Sequence, residues 1–228
     1  MRVVLTGASG MVGGGVLREC LRDPSVELVL SLGRRPSGSG DPKLRELVVP
    51  DFFDLRSVEG QLAGFDACFY CAGVSSAGMG EAEYRRLTHD LTLSVAGTLC
   101  RLNPRMTFVY VSGAGTDSTE HGRSMWARVK GATENELLRL PFRSAFLFRP
   151  GIIRARHGIR SRSRVYRVLY AVLLPVILLA AAVAPNSITS TDRIGRAMIH
   201  VVTRGAPSPW LGSREINALA RSVPSDPS

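Results

Sequence analysis

Arg2-Val3-Val4-Leu5-Thr6-Gly7-Ala8-Ser9-Gly10-Met11-Val12-Gly13 opens the chain, and the architecture can be built outward from it. The first residues form a short apolar run that predicts a strand. It breaks at Thr6-Gly7 into the spacing T-G-x-x-G-x-x-G, and residues 11–21 then carry apolar side chains at helical intervals up to Asp23-Pro24. A strand turning into a helix through three spaced glycines has a specific physical use. One glycine permits the tight turn, one lets a ligand approach the main chain, and one lets helix and strand pack closely. The helix start also offers unpaired amides and the positive end of its dipole, which suit phosphate.

The rest of the chain repeats the rhythm. Strands are expected at 27–32, 44–49, 66–71, 106–112 and 144–149, with helices at 55–62, 81–102 and 123–140 between or beside them. Alternating strands and helices predict α/β architecture, a doubly wound parallel sheet of the Rossmann kind covered on both faces. After residue 150 the pattern changes. We expect residues 1–155 to form a dinucleotide-binding domain. Residues 156–228 are expected to be a small, mainly helical portion completing the same unit, with a helix near 191–202 and a frayed end from Pro207.

The turn therefore predicts a dinucleotide held by Thr6, Gly7, Ser9, Gly10, Met11, Val12 and Gly13. Nucleotide choice is expected from the end of the second strand. An NAD-type site places a carboxylate there, about 20 residues beyond the glycines. Here the stretch is Ser31-Leu32-Gly33-Arg34-Arg35, with no carboxylate. A guanidinium matches a 2′-phosphate, so NADP(H) is expected over NAD(H); the alternative is that Arg34 and Arg35 are solvated loop residues.

Bulk composition narrows the field. With 45% hydrophobic and 21% charged residues, the chain reads as globular rather than disordered. The net charge of +10 comes almost wholly from arginine, since only Lys43 and Lys130 are lysines. Such a balance suits a phosphorylated ligand, an anionic membrane or nucleic acid, or reflects a general preference for arginine. Cys20, Cys68, Cys71 and Cys100 show no disulfide or zinc spacing. Cys68 and Cys71, three apart on a strand, point to opposite faces, so no metal site is expected and all four read as reduced thiols. With the first strand beginning at once, no targeting segment is expected, and the chain reads as cytoplasmic, with membrane association as a variant of that reading.

These residues together resemble the short-chain dehydrogenase/reductase superfamily, in its extended and atypical branches that include the NAD-dependent epimerase/dehydratase type. The resemblance rests on Thr6-Gly7-x-x-Gly10-x-x-Gly13, Asp51, Cys71-Ala72-Gly73, Ser112, Lys130 and Arg149-Pro150-Gly151 in that order. It implies that Asp51, with Phe52 beside it, lies near the adenine, that Cys71, Ala72 and Gly73 line the cofactor ribose, and that Pro150 and Gly151 complete the pocket. It also implies catalysis by Ser, Tyr and Lys, with Tyr and Lys spaced Y-x-x-x-K. Ser112 would then bind the substrate oxygen and Lys130 the nicotinamide ribose. This chain departs from that pattern, because the spacing reads Trp126-Ala127-Arg128-Val129-Lys130. Residues four apart share a helix face, so Trp126 stands where the phenol belongs, and an indole N–H does not exchange protons near neutrality. Tyr84, His89, Ser75, Ser118 and His121 are the alternative proton carriers in nearby loops.

Two functions follow. One is an oxidoreductase or epimerase using NADP(H) with a degenerate motif and an unidentified small-molecule substrate. The other is a non-catalytic NADP(H)-binding sensor or scaffold. Residues 168–184 carry no charge and have Pro175 at their middle, with Arg154, Arg156, Arg160, Arg162, Arg164 and Arg167 just before. Three readings stand open: a buried or homodimer-interface helix pair, peripheral membrane contact through 154–184, and a bilayer span. Tyr166 and Tyr170 among the arginines could stack bases, but no nucleic-acid motif accompanies them.

Overall fold

The computed structural model describes residues 1–36, 39–156 and 187–222. Among the described residues, seven strands form one parallel sheet: β1 (Arg2–Thr6), β2 (Leu28–Gly33), β3 (Leu44–Val48), β4 (Ala67–Tyr70), β5 (Thr107–Val111), β6 (Ser144–Arg149) and β9 (Trp210–Gly212). Their order is β3-β2-β1-β4-β5-β6-β9. A second, two-stranded parallel sheet joins β7 (Ile152–Arg154) to β8 (Ile188–Ser190). The helices are α1 (Met11–Arg22), α2 (Glu59–Leu62), α3 (Glu81–Arg85), α4 (Leu91–Leu102), α5 (Met125–Arg139), α6 (Thr191–Arg204) and α7 (Ser213–Arg221).

Strand pleating divides the core between the two faces of the sheet. Val3, Leu5, Phe69, Val109 and Phe148 point to the side covered by α1, α6 and α7, where they meet Val16, Cys20, Ile194, Met198 and Ile216. Val4, Leu30, Cys68, Phe108 and Leu147 point to the side of α4 and α5, against Val95, Leu99 and Leu137. Cys68 and the partly buried Cys71 sit on opposite faces, as their spacing predicts. No group of His, Cys, Asp and Glu among the described residues could hold a metal.

The helix expected over 81–102 is interrupted. A π turn at Arg86–Asp90 separates α3 from α4. The extra residue re-registers the helix, and Tyr84 before the break, His89 within it and Thr92 after it are all buried. The expected frayed end is also ordered up to residue 222. Trp210–Gly212 adds β9 beside β6, and α7 follows with Glu215 bonded back to the Gly212 amide at 3.0 Å. Three residues between a Pro-rich loop and a helix leave no periodicity to read, and pairing with β6 supplies the order instead.

The C-terminal portion packs on the helix that follows the glycine turn. A Cβ on Gly15 would lie 2.4 Å from the Thr191 Cβ, so this glycine lets α1 and α6 approach closely. Arg160, Arg162, Arg164 and Arg167 and the apolar 168–184 stretch lie outside the described residues. Among the described residues no helix is long and apolar enough to cross a membrane.

Candidate functional site

The carboxyl ends of β3, β2, β1, β4, β5 and β6 bring most of the expected site residues to one edge of the sheet. Thr6 pairs with Leu32 on one side and Tyr70 on the other, so the glycine turn, Gly33-Arg34-Arg35 and Cys71-Ala72-Gly73 leave adjacent strands side by side. Val49 bonds to the Gly33 carbonyl at 2.9 Å, placing Pro50-Asp51-Phe52 next in line. Arg34, Arg35 and Asp51 are exposed, while Phe52 is buried. On the far side, the amides of Ser112 and Ala114 bond to the carbonyls of Phe148 and Pro150, tying the loop after β5 to Pro150-Gly151. The Gly151 amide is held by Ser213 Oγ at 2.9 Å, which anchors that loop to α7.

The turn is built from the main chain. Gly7 adopts φ +75°, and a Cβ there would lie 2.7 Å from the Cys71 and Ala72 backbone. A Cβ on Gly13 would lie 2.1 Å from the Gly7 carbonyl oxygen. These two glycines are required by packing alone. Gly10 is different: it is exposed, and its hypothetical Cβ meets only the Gly7 oxygen, at 3.2 Å. The first turn of α1 (Met11, Val12, Gly13) has no acceptor within the helix, and no side chain caps it. A glycine cradle in front of an uncapped helix start fits a pyrophosphate. Buried Thr6 stiffens the cradle by accepting the Ala72 amide at 3.3 Å, and Ser9 is exposed beside Gly10.

The β5–β6 side is built from side chains. Lys130 Nζ donates to the Ser112 carbonyl at 2.7 Å and lies 5.9 Å from the Tyr110 ring centre. Burial holds its amine down at about 8, and the Glu134 carboxylate opposes that shift. Ser112 Oγ donates to Glu134 Oε1 at 2.5 Å, with the Phe148 carbonyl a second, longer acceptor at 3.2 Å. A hydroxyl has one proton, so in this arrangement Ser112 offers a substrate its lone pairs. Glu134 is fully buried and ion-paired with Arg149, whose guanidinium also donates to Ser118 Oγ.

Glu134 is the residue the sequence reading missed. Trp126, Lys130 and Glu134 recur every four residues on α5, so one face of the helix carries all three. Glutamate is common on solvated helices, and its burial depends on Arg149 arriving from β6. Trp126 is half-buried, its ring 3.5 Å from the position of a Cβ on Gly115. The alternative proton carriers are placed as follows. Tyr84 is buried, and His89 is buried with Nδ1 2.8 Å from Asp90. Ser75 accepts the Ala77 amide, Ser118 accepts from Arg149, and His121 is exposed on the loop before α5.

Comparison with known proteins accords with this geometry. The model of the NAD dependent epimerase/dehydratase family matches residues 3–123. "Protein fmp52, mitochondrial" of Emericella nidulans is 29% identical over 168 residues, covering 71% of this chain and 70% of its own length. "Protein fmp52-1, mitochondrial" of Aspergillus terreus is 28% identical over 167 residues, covering 71% and 69%. Among solved structures, the Bordetella bronchiseptica enzyme WbmF in complex with NAD+ superposes with a TM-score of 0.66 at 14% identity, covering 96% of this chain and 76% of that one. A short chain dehydrogenase/reductase from Saccharomyces cerevisiae gives 0.65 at 17% identity, covering 98% and 99%. At such identities the solved structures speak to the fold. The relatives are named as mitochondrial, and this overturns the expectation of a cytoplasmic protein. That expectation leaned on the strand starting at residue 2, and a compartment is not encoded in where a fold begins.

Proposed function

The chain belongs to the NAD dependent epimerase/dehydratase family, and from that premise we propose that it binds NADP(H) in preference to NAD(H) and uses it in an oxidoreductase or epimerase reaction on a small molecule. The observation that carries this reading is the uncapped start of α1 behind the glycine turn, with Arg34 and Arg35 leaving the adjacent strand. The amides of Met11, Val12 and Gly13 would take the pyrophosphate. Two exposed guanidiniums beside them supply forked donors for a 2′-phosphate, and neither meets a carboxylate among the described ion pairs. Asp51 and Phe52 would flank the adenine, Cys71, Ala72 and Gly73 the ribose, and Lys130 the nicotinamide ribose. Bound nicotinamide would supply or accept hydride.

Trp126 favours the second reading, a sensor or scaffold that binds NADP(H) without turnover, because the indole cannot exchange the proton that a phenol would. Calorimetry with NADP+ and NAD+ tests the shared part of both readings. NADP+ is expected to bind at least about tenfold more tightly, the yield of one charge-assisted contact. Equal affinities would remove the role given to Arg34 and Arg35.

Peripheral membrane contact through 154–184 stays a proposal, resting on its arginines and its uncharged run. Flotation with vesicles containing cardiolipin, an anionic lipid, is the measurement. Protein that stays at the bottom of the gradient at low salt would end that idea.

A further inference from the structure

Resting on the nucleotide-binding reading above, we propose that Lys130 is the proton-transfer group of this site, giving a proton from Nζ to the oxygen of a carbonyl substrate as the nicotinamide delivers hydride to the carbon. The step balances. The carbonyl π bond breaks, a C–H bond forms from the hydride and an O–H bond from the ammonium proton. Reduced nicotinamide becomes oxidised, and the neutral amine regains its proton from water. In the oxidative direction the amine takes the alcohol proton.

The geometry singles out Lys130 by what surrounds it. Trp126, one turn earlier on the same face of α5, has no proton to exchange near neutrality. Ser112 has its proton engaged by Glu134. Glu134 has no solvent exposure and is held by Arg149. Because Arg149 takes that carboxylate, Lys130 is left without an ion-pair partner among the described residues, and its amine rests on a neutral acceptor, the Ser112 carbonyl. The other groups facing this region are the Tyr110 phenol of β5, which burial pushes far up, Tyr84 of α3 near it, and His89 of the π turn, bonded to Asp90. A desolvated ammonium whose nearest carboxylate is already taken by a guanidinium holds its proton less firmly than an ordinary lysine, which is the property a general acid needs. In a chain whose other basic residues are almost all arginine, a lysine at this position supplies a cation that can deprotonate where a guanidinium cannot.

The chain contains only two lysines, Lys43 and Lys130, so protein labelled with 15N-lysine gives two side-chain nitrogen signals, and Lys43→Arg assigns them. We expect the Lys130 signal to titrate near 8, well below the ordinary lysine value of 10.5, and to move when NADP+ is added. Lys130→Arg keeps the positive charge but not the compact ammonium beside the nicotinamide ribose, so NADP+ should still bind, though more weakly, and turnover is compared at saturating NADPH. Turnover of 4-nitrobenzaldehyde or 9,10-phenanthrenequinone with NADPH should fall about a hundredfold or more, because a guanidinium holds its proton. A Lys130 signal that titrates in the ordinary lysine range, or a Lys130→Arg protein as active as the parent, overturns the assignment while leaving the nucleotide site intact. If neither NADP+ nor NAD+ binds, the nucleotide reading fails, and this proposal with it. A parent protein that binds NADP+ yet reduces neither probe also counts against the assignment.

Discussion

The two halves of the sheet edge are made of different materials. From β3 to β4, the phosphate side is main chain: a glycine turn, helix amides and loop backbone, with side chains kept out at Gly7 and Gly13. From β5 to β6, the other side is a chain of side-chain contacts running Lys130, Ser112, Glu134, Arg149 and Ser118. The first half carries the glycine spacing expected from the sequence, and the second carries Trp126 where the resemblance implied a tyrosine. Backbone cradles admit little variation, because a single Cβ closes them, whereas a polar network can lose one member and be rebuilt around another. Phosphate binding and proton transfer in one fold can therefore change independently.

The largest expected effect breaks the side-chain half. Glu134→Ala leaves the Arg149 cation, only 23% exposed, without its partner. It should cost about 3–5 kcal/mol and lower the melting temperature by roughly 6–20 °C in a chain of this size. A shift under about 2 °C in a thermal scan would mean that the network carries no stability. Next, Gly13→Ala drives a Cβ into the Gly7 carbonyl oxygen and should cost about 3 kcal/mol. Gly10→Ala, with only a 3.2 Å contact to relieve, should stay within about 1 kcal/mol in stability yet weaken dinucleotide binding measured by calorimetry. Comparable destabilisation by both would show that the turn is rigid throughout and that no face of it is kept open for a ligand.

The pH dependence sharpens the contrast. The folded Lys130 amine titrates at about 8, below its ordinary 10.5, so between those values the unfolded chain binds more protons. Stability contributed at Lys130 therefore rises as pH increases from about 8 towards 10.5, by up to about 3 kcal/mol. The buried Cys20, Cys68 and Tyr110, pushed up by desolvation, act oppositely above about pH 9. The prediction is thus for the difference between the parent and Lys130→Met, followed by urea melts at pH 7 and pH 9.5. A difference that stays flat across that range contradicts it. Smaller again, Arg34→Ala with Arg35→Ala should cut the preference for NADP+ by about tenfold to a hundredfold without changing the melting temperature. The smallest effect is expected from Trp126→Phe, within about 1 kcal/mol, because the ring is only half-buried against Gly115.

What could be read before folding follows the same division. The parallel sheet, the turn and the edge that gathers Arg34, Asp51 and Ala72 were legible because periodicity and glycine spacing are local. Gly15 carried no reading in the sequence, since its reason, Thr191, lies far along the chain. Glu134 was hidden for the same cause: only Arg149 and Ser112 arriving from two strands turn an ordinary helical glutamate into a buried anchor. The π turn within 81–102 gave no local sign, because an added residue leaves the apolar spacing nearly helical on either side. β9 was too short to announce itself.

The close seat of α6 on α1 reaches beyond stability. One end of α1 is left uncapped at the glycine turn, and its flank at Gly15, Val16 and Cys20 is roofed by residues from beyond 190. On the proposed reading, the nucleotide and the tail of the chain would grip a single beam. A chain cut at 155 would bare that flank to water, so the loss of the last third should be felt first in how well the opening dozen residues hold their ligand.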